Sequence, residues 1–200
     1  MTPTPITPIP LPDGATRPLL FGGTFDPVHY GHLRSAFEML QALDFEEVRF
    51  IPCSDPPHRG VTYANADQRY RLVEIAIAGH DGFVADDREL RRGGPSYTID
   101  TLTYLEEKYA EREFQLVLGA DGLRTFHKWK HAELITQKYH RLIYPRPGTS
   151  KEEVLQLPNA TLVEAPLMEI SSSFIRKAIR EGKDVRHLMP ARAYQYMREM

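Results

Sequence analysis

Cysteine is nearly absent from this 200-residue chain, which contains only Cys53. One thiol cannot form an intramolecular disulfide, and it cannot supply a cysteine-based zinc site. A chain of this length needs neither, because about 70% of its unfolded surface can be buried on folding. The sequence therefore predicts a single domain that is held together by an ordinary hydrophobic core.

Net charge and long apolar runs are also scarce. The formal charge is −2 at pH 7, so the chain lacks the strong positive field of proteins that bind nucleic acid or anionic membranes. No apolar run approaches the ~18 residues that are needed to cross a bilayer. We therefore expect no nucleic-acid partner and no membrane association. A homo-oligomer is permitted by the sequence but is not predicted by it.

The amino-terminal segment is rich in proline and contains no lysine over its first 18 residues, of which six are proline. Proline at this density prevents a helix and favours extended, polyproline-like backbone. The positive start and the continuous apolar centre of a secretory signal are missing, so we expect a cytoplasmic protein. We predict a disordered tail over residues 1–16 and one folded domain over residues 17–200. Docking of the tail through its prolines is the less favoured alternative.

The rest of the chain alternates between apolar runs and segments with helical periodicity. The runs predict strands over residues 18–23, 47–52, 82–86, 114–119, 141–145 and 161–165. The periodic segments predict helices over residues 29–43, 67–79, 98–112, 123–129, 131–139, 171–182 and 191–200. Asn65 and Gln68 have the spacing of a capping box at the start of the second helix. The alternation predicts an α/β fold, with a doubly wound parallel sheet, flanking helices and a C-terminal helical segment.

The segment GGTFDPVHYGH, residues 22–32, joins the first predicted strand to the first predicted helix. Gly22 and Gly23 end the strand without side chains that would keep a ligand from the backbone. The start of a helix offers N–H groups and a positive dipole end, which suit an anion. His29 and His32 are three residues apart and share one helical face, and Gly31 leaves room beside them. The pattern predicts a clamp for phosphate.

Other interpretations of the histidine pair are also open at this point. A histidine near a helix start is usually a cap or a surface residue, and two at this spacing can bind a metal. The remaining histidines are scattered, and no His/Cys/Asp cluster with zinc spacing accompanies the pair, so we predict no protein metal site. The GxxxxGK[ST] and GxGxxG motifs are both missing, so phosphate must be held by another device.

The segment EISSSFIRKAI, residues 169–179, is the second informative one. Its serines are good helix caps, and Arg176 falls in the first turns of the helix that follows. Alone, the segment favours a serine-capped amphipathic helix with a surface arginine. Together with HxGH, it resembles the paired signature of the HxGH nucleotidyltransferase superfamily. That resemblance implies a Rossmann-like α/β fold in which the arginine meets a triphosphate opposite the histidines.

Six motifs in order narrow the resemblance to the bacterial nicotinate-nucleotide adenylyltransferases. Ser173 stands where threonine is common in that family, and Arg59 stands where lysine is common. The resemblance implies transfer of AMP from ATP to nicotinate mononucleotide, giving nicotinate adenine dinucleotide and pyrophosphate in NAD biosynthesis, with Mg²⁺ accompanying ATP. It covers residues 19–200 through FGGTFDPVHYGHL, PPHR, GGPSYTIDTL, GADGLRTFHKW, YPRPG and ISSSFIRKAI.

The resemblance also implies roles for individual residues. The catalytic residues would be His29, His32 and Arg176. The ATP site would comprise Gly22, Gly23, Thr24, Phe25, His29, His32, Ser172, Ser173 and Arg176. The nicotinate mononucleotide site would comprise Tyr97, Thr98, Gly119, Asp121 and Trp129, with Trp129 stacked on the pyridine ring. Arg59 and Arg146 are candidate phosphate contacts, and an ordinary solvated arginine is a close alternative for each. For Trp129 the alternative is an ordinary position in the hydrophobic core.

Two competing functions have to be weighed. Pantetheine-phosphate adenylyltransferase shares HxGH and the serine-rich segment, but GGPSYTIDTL and GADGLRTFHKW argue against it. A non-catalytic nucleotide sensor with the same fold is the alternative from a different class. The presence of His29, His32 and Arg176 together argues against a sensor, because sensing alone does not require all three.

Overall fold

A parallel sheet organises the part of the chain that the structure describes. The computed structural model describes residues 17–43, 45–57, 60, 62–163 and 165–200. Within these ranges, six strands pair in the order β3-β2-β1-β4-β5-β6, and every pairing is parallel. The strands are β1 (Pro18–Gly23), β2 (Glu47–Pro52), β3 (Phe83–Ala85), β4 (Gln115–Gly119), β5 (Arg141–Tyr144) and β6 (Ala160–Leu162). The order reverses direction between β1 and β4, so the predicted doubly wound, Rossmann-like sheet is confirmed.

Helices connect the strands on both sides of the sheet. In the described ranges they are α1 (Tyr30–Leu43), α2 (Ala66–Ile77), α3 (Arg88–Arg92), α4 (Thr98–Lys108), α5 (Ala120–Thr125), α6 (Ala132–Lys138), α7 (Lys151–Leu155), α8 (Ser172–Arg180) and α9 (Ala191–Glu199). A 3-10 turn, Phe126–Lys128, follows α5, where the sequence predicted one continuous helix. The two five-residue helices α3 and α7 were not predicted, because one turn is too short to show an apolar period.

The capping box that the sequence predicts before α2 is present. The Asn65 side chain accepts a hydrogen bond from the Gln68 backbone N–H at 2.9 Å, and the Gln68 side chain accepts one from the Asn65 N–H at 3.0 Å. Each side chain satisfies a donor that the first turn of a helix leaves without a partner.

Strand side chains alternate between two apolar cores. Leu19 and Phe21 of β1 pack in the core that α1, α2, α8 and α9 cover, which we call the first core. Leu20 points the other way, into the second core, which α4 and α6 help to cover. In β4, Val117 belongs to the first core and Leu116 to the second. Both faces of the sheet are therefore buried, as parallel sheets require.

The buried face of α1 is centred on a small residue, Ala36. Leu33 is buried, but the Phe37 side chain, one turn further along the helix, is 39% exposed. Ala36 and Met39 are fully buried instead. The helix therefore meets the sheet along the stripe that contains Ala36, and Phe37 lies at the edge of that contact.

Some sequence-based expectations fall outside the described part of the chain. The predicted tail, residues 1–16, and the candidate phosphate contact Arg59 both lie there. Among the described residues, no helix combines the length and the apolar composition needed to span a membrane.

Candidate functional site

The carboxyl ends of β1 and β4 lie side by side where the strand order reverses, the place where open α/β sheets bind ligands. Gly22 is exposed, and an added Cβ there would meet no described atom within 4 Å. At Gly119 an added Cβ would lie 2.6 Å from the Tyr144 hydroxyl oxygen. Gly22 therefore leaves open the space at these strand ends, which we call the crevice, and Gly119 makes room for the Tyr144 ring beside it.

His29 and His32 lie together at the start of α1, as predicted. Their rings stack with centroids 3.7 Å apart. Nδ1 of His32 accepts a hydrogen bond from the His29 backbone N–H at 3.3 Å. Because Nδ1 is an acceptor, a neutral His32 ring carries its proton on Nε2. Phe25, which is 2% exposed, packs edge-on against His32 at 5.1 Å. The Phe25 side chain thus supports the imidazole, and only its backbone is available to a ligand.

His29 is the more buried of the two histidines, with a relative exposure of 1%. Burial, with a smaller contribution from the positive charge of Arg146, lowers the pKa of His29 to about 3. Its ring is therefore neutral at ordinary pH and cannot offer a full positive charge to phosphate. Among the described atoms, its buried Nδ1 has no hydrogen-bond partner.

Gly31 has a role that differs from the predicted one. An added Cβ would lie 3.0 Å from Cε1 and Nδ1 of His29 and 3.3 Å from the carbonyl oxygen of Ile170. The absent side chain thus makes room for the His29 ring and for the segment before α8. It does not open the helix to a large ligand.

The first turn of α1 offers fewer backbone donors to an anion than the sequence suggests. The Tyr30 N–H donates to the Leu188 carbonyl at 3.0 Å, and the His32 and Leu33 N–H groups donate to the His29 carbonyl. The Tyr30 and His32 bonds satisfy donors that a helix start usually leaves open, and the Leu33 bond is the first ordinary bond of the helix. Side-chain donors must therefore carry more of any phosphate binding.

Arg176 reaches from α8 to the loop between β1 and α1. Its Nη1 donates to the Asp26 carbonyl oxygen at 2.6 Å, and its Nη2 donates to the Ser173 hydroxyl at 3.2 Å. Ser172 binds the same loop through the Pro27 carbonyl at 2.9 Å. The structure thus brings the predicted arginine and serines to the loop that bears the histidines. Arg176 and Asp26, which make this contact, are 150 residues apart in the sequence.

Arg146 connects the carboxyl end of β5 to the segment before α8. Its Nη1 donates to the carbonyls of Met168 and Ile170 at 3.2 and 2.9 Å. The guanidinium lies 5.3 Å from the Tyr144 ring centroid, and its Nε is 3.7 Å from an Asp121 carboxylate oxygen. Arg146 therefore shapes the crevice and, through its charge, the pKa of His29. Its Nη1 already has protein partners, whereas its buried Nε has no hydrogen-bond partner among the described atoms.

The residues predicted for the second substrate lie on the other side of the crevice. Tyr97 is the N-cap residue of α4 and gives no side-chain cap, and Thr98 is its first helical residue. Trp129 follows the 3-10 turn, is half-buried, and packs against Phe126 with ring centroids 5.3 Å apart. Asp121 lies in the first turn of α5, with its side chain 71% exposed. The half-buried Trp129 is consistent with both alternatives that the sequence left open.

Arg69 is a residue that the sequence analysis missed. It is 1% exposed in α2 and donates to the carbonyls of Thr24, Ser54 and Ala64 at 2.9, 2.9 and 3.2 Å. It thereby fixes the loops that follow β1 and β2. The available signal was its position at helical spacing from Leu72, on the apolar face of α2, where an arginine needs buried partners.

Asp26 is a second such residue. Its carboxylate accepts hydrogen bonds from the backbone N–H groups of Tyr63 and Ala64 at 2.8 and 3.0 Å. The loop that bears the histidines is thus joined to the loop before α2 as well as to α8. Its signal in the sequence was weak, because only folding brings these loops together.

Comparison with known proteins shows the family to which the chain belongs. A family model described as cytidylyltransferase-like matches residues 20–178. A protein of Bacteroides fragilis named probable nicotinate-nucleotide adenylyltransferase is 38% identical over 181 residues, which is 90% of each chain. A Flavobacterium johnsoniae protein with the same name is 35% identical, over 89% of this chain and 94% of its own. The chain belongs to the nicotinate-nucleotide adenylyltransferase family.

The fold of this adenylyltransferase also has solved counterparts. The Plasmodium falciparum nicotinic acid mononucleotide adenylyltransferase, solved in complex with NaAD, aligns with a TM-score of 0.77 over 92% of this chain and 95% of its own. At 19% identity this likeness shows the fold alone. The family assignment confirms the predicted enzyme class and reaction: AMP transfer to nicotinate mononucleotide in NAD biosynthesis.

Proposed function

We propose that the crevice at β1 and β4 is where AMP is transferred from ATP to nicotinate mononucleotide. The observation that carries the proposal is the meeting of the stacked His29–His32 pair and Arg176 on one loop at the sheet's reversal point. A 5′-phosphate oxygen of the acceptor attacks the α-phosphorus of ATP. The bond from that phosphorus to the bridging oxygen breaks, and pyrophosphate leaves with the electron pair.

Positioning and charge stabilisation supply the catalysis. The attacking phosphate is already a nucleophile, so the reaction needs no covalent enzyme intermediate and no strong base. His32, with its proton on Nε2, donates to the transferred phosphoryl group. His29 is neutral and supports the orientation of His32 through ring stacking. Arg176 supplies a full positive charge, which the neutral His29 ring does not offer, and its planar guanidinium suits phosphate oxygens.

Mg²⁺ fits this site as a companion of the nucleotide. Among the described residues, no cluster of three His, Cys, Asp or Glu side chains could hold a metal ion. Mg²⁺ commonly keeps several waters and binds substrate phosphates, with few protein ligands. Bound in that way, it would neutralise charge on the triphosphate. Asp26 already accepts two backbone hydrogen bonds, so we assign it no metal.

The second half of the crevice would hold the acceptor. The half-buried Trp129 offers a ring face for stacking on the pyridine, and the backbone N–H groups at Tyr97 and Thr98 begin α4, where negative charge is favoured. Asp121 is exposed beside Gly119 and can accept a hydrogen bond from a ribose hydroxyl. A cytoplasmic location for this reaction remains our proposal.

A direct assay tests this function. The purified protein is incubated with ATP, Mg²⁺ and one of three acceptors: nicotinate mononucleotide, nicotinamide mononucleotide or 4′-phosphopantetheine. Pyrophosphate release gives the rate, and mass spectrometry identifies the product. We expect nicotinate mononucleotide to be the best acceptor. Absence of nicotinate adenine dinucleotide among the products would contradict the proposal.

A histidine variant tests the clamp itself. His32→Ala removes one donor to the transition state and should slow turnover by about 10²–10³-fold. His80→Ala is the control, because His80 is exposed and precedes β3, at the opposite end of its strand from the crevice. A folded His32→Ala protein with normal turnover would remove the clamp from the mechanism.

A further inference from the structure

Lys130 joins the two segments that are proposed to hold the acceptor. It directly follows Trp129, and its Nζ donates to both carboxylate oxygens of Asp100 at 2.9 and 3.0 Å. The same ammonium lies 4.7 Å from the centroid of the Tyr97 ring, within the range of a cation–π contact. One side chain thus contacts the first turn of α4 from the segment that carries Trp129.

Asp100 stands in an electrostatically sensitive place. It is the acidic residue in the first turn of α4, where backbone N–H groups and the helix dipole favour negative charge. In the proposed function the carboxylate of nicotinate binds at this same helix start, through Tyr97 and Thr98. An unpaired Asp100 carboxylate would repel that second negative charge. The ammonium of Lys130 neutralises it.

We propose that Lys130 is a specificity-determining residue, which pairs with Asp100 so that an acceptor bearing a carboxylate is preferred over the neutral amide. This inference rests on the proposed function. The Lys130 and Asp100 side chains are each 40% exposed, so their pair contributes little to fold stability. The effect of the pair on the binding of a charged ligand at the same helix start is independent of fold stability, and it can be measured as acceptor preference.

Three variants distinguish two roles of the Lys130–Asp100 pair: neutralisation of the Asp100 charge, and simple attachment of the Trp129 segment to α4. Lys130→Met leaves Asp100 charged and unpaired, whereas Asp100→Asn removes the repelling charge and frees the ammonium. The measured quantity is kcat/KM for nicotinate mononucleotide divided by kcat/KM for nicotinamide mononucleotide, at low ionic strength. We expect the ratio to fall about five- to tenfold in Lys130→Met. It should stay level or rise in Asp100→Asn, and it should return to within about twofold of wild type in the double variant.

The chain contains a matched control. Lys138 also bonds a carboxylate of α4, that of Glu106, and it lies 5.5 Å from the Tyr139 ring centroid. Glu106 is near the carboxyl end of α4, far from the helix start. Lys138→Met removes the same charge and a similar contact, and it should leave the ratio unchanged. Lys130→Arg should keep the wild-type ratio, because it retains the charge.

The outcomes separate the inference from the proposed function. If both single variants lower the ratio and the double variant resembles them, the pair only attaches the two segments, and the inference is overturned. Equal losses for both acceptors in Lys130→Met would overturn it too. If the wild-type protein transfers AMP to neither nucleotide, the proposed function itself fails. Opposite effects of the two single variants, with recovery in the double, would support the inference.

Discussion

At the scale of single residues, the two histidines of the crevice divide the work by their burial. His29 is almost fully buried, and burial lowers its pKa to about 3, so the ring stays neutral. His32 is half-buried and receives a backbone hydrogen bond on Nδ1, which leaves Nε2–H as its donor. Two identical side chains three residues apart therefore have different chemistry, and the difference comes from packing.

The lowered pKa of His29 predicts a pH-dependent loss of stability. In the unfolded chain the group titrates near its ordinary value of 6.5, so between pH 6.5 and about 3 the unfolded state binds more protons. Stability is therefore lost as pH falls below 6.5 and is unaffected by this group above about pH 7.5. From pH 8 to pH 5 the contribution of His29 is about 2 kcal/mol.

Urea unfolding at pH 8 and pH 5 measures this contribution. Wild type should lose about 2 kcal/mol more than His29→Asn over that interval, because the variant lacks the titrating ring. His140, whose pKa is also lowered by burial, is common to both proteins and cancels in the comparison. Identical losses in the two proteins would show that His29 titrates normally in the fold.

Trp129→Ala separates a ligand platform from a core residue. The ring is half-buried against Phe126, so its removal should cost some stability, but less than the ~3–5 kcal/mol of a fully buried tryptophan. Loss of stacking should lower the apparent affinity for nicotinate mononucleotide by about 10–100-fold, with little change for ATP. Both substrate constants and the unfolding free energy are measured on one preparation, with Trp129→Phe as the control. Unchanged affinity for the acceptor would defeat the assignment of the pyridine site.

At the scale of helices and strands, the sequence predicted the features that depend on residues close together in the chain. β2 has the predicted bounds because Val48, Phe50 and Ile51 are strong strand formers within a short segment that Pro52 ends, and the Asn65–Gln68 cap is visible because both partners lie within one turn. The three carbonyl partners of Arg69 and the Lys130–Asp100 pair are different. They depend on how separate loops meet after the sheet has formed. The sequence therefore predicted the sheet and named the candidate site residues, but it could not predict the contacts that position those residues.

Gly31→Ala tests how tightly α1 is packed at the site. In an open helical position alanine is more stable than glycine by about 0.5–1 kcal/mol. At Gly31 the new methyl would press on the His29 ring and on the Ile170 carbonyl. We expect no gain in stability and a loss of turnover of at least about tenfold, because His29 and its stacked partner His32 must shift.

Gly122→Ala is the matched control for this change. Gly122 lies in α5, and its added Cβ would meet no described atom within 4 Å, so the substitution should stabilise the protein by about the ordinary amount. Melting temperatures of both variants and the turnover of Gly31→Ala give the answer. A gain of equal size at Gly31, with normal activity, would contradict the close packing described for α1.

At the scale of the whole molecule, the two substrates would approach the carboxyl ends of β1 and β4 from opposite sides of the sheet. Ile175, one residue before Arg176, packs in the first core, on the same side as α1 with its histidines. Tyr97 and Trp129, assigned to the acceptor, pack against the second core. The strand order reverses between β1 and β4, which opens a crevice that both sides can reach. Variants on one side should therefore affect mainly one substrate.

Removal of residues 2–16 tests whether the proline-rich segment takes part in this architecture. The proposed site residues all lie between Gly22 and Arg176, at the carboxyl ends of the strands or in the loops and helices that follow. Pro18 begins β1 at the opposite end, where it pairs with Glu47. We therefore expect the shortened protein to melt within about 2 °C of the full chain and to keep kcat/KM within about twofold. Removal of residues 2–20 is the control, since it also takes the buried Leu19 and Leu20 and should prevent folding. Loss of folding or activity in the shorter deletion would show that the proline-rich segment packs on the domain.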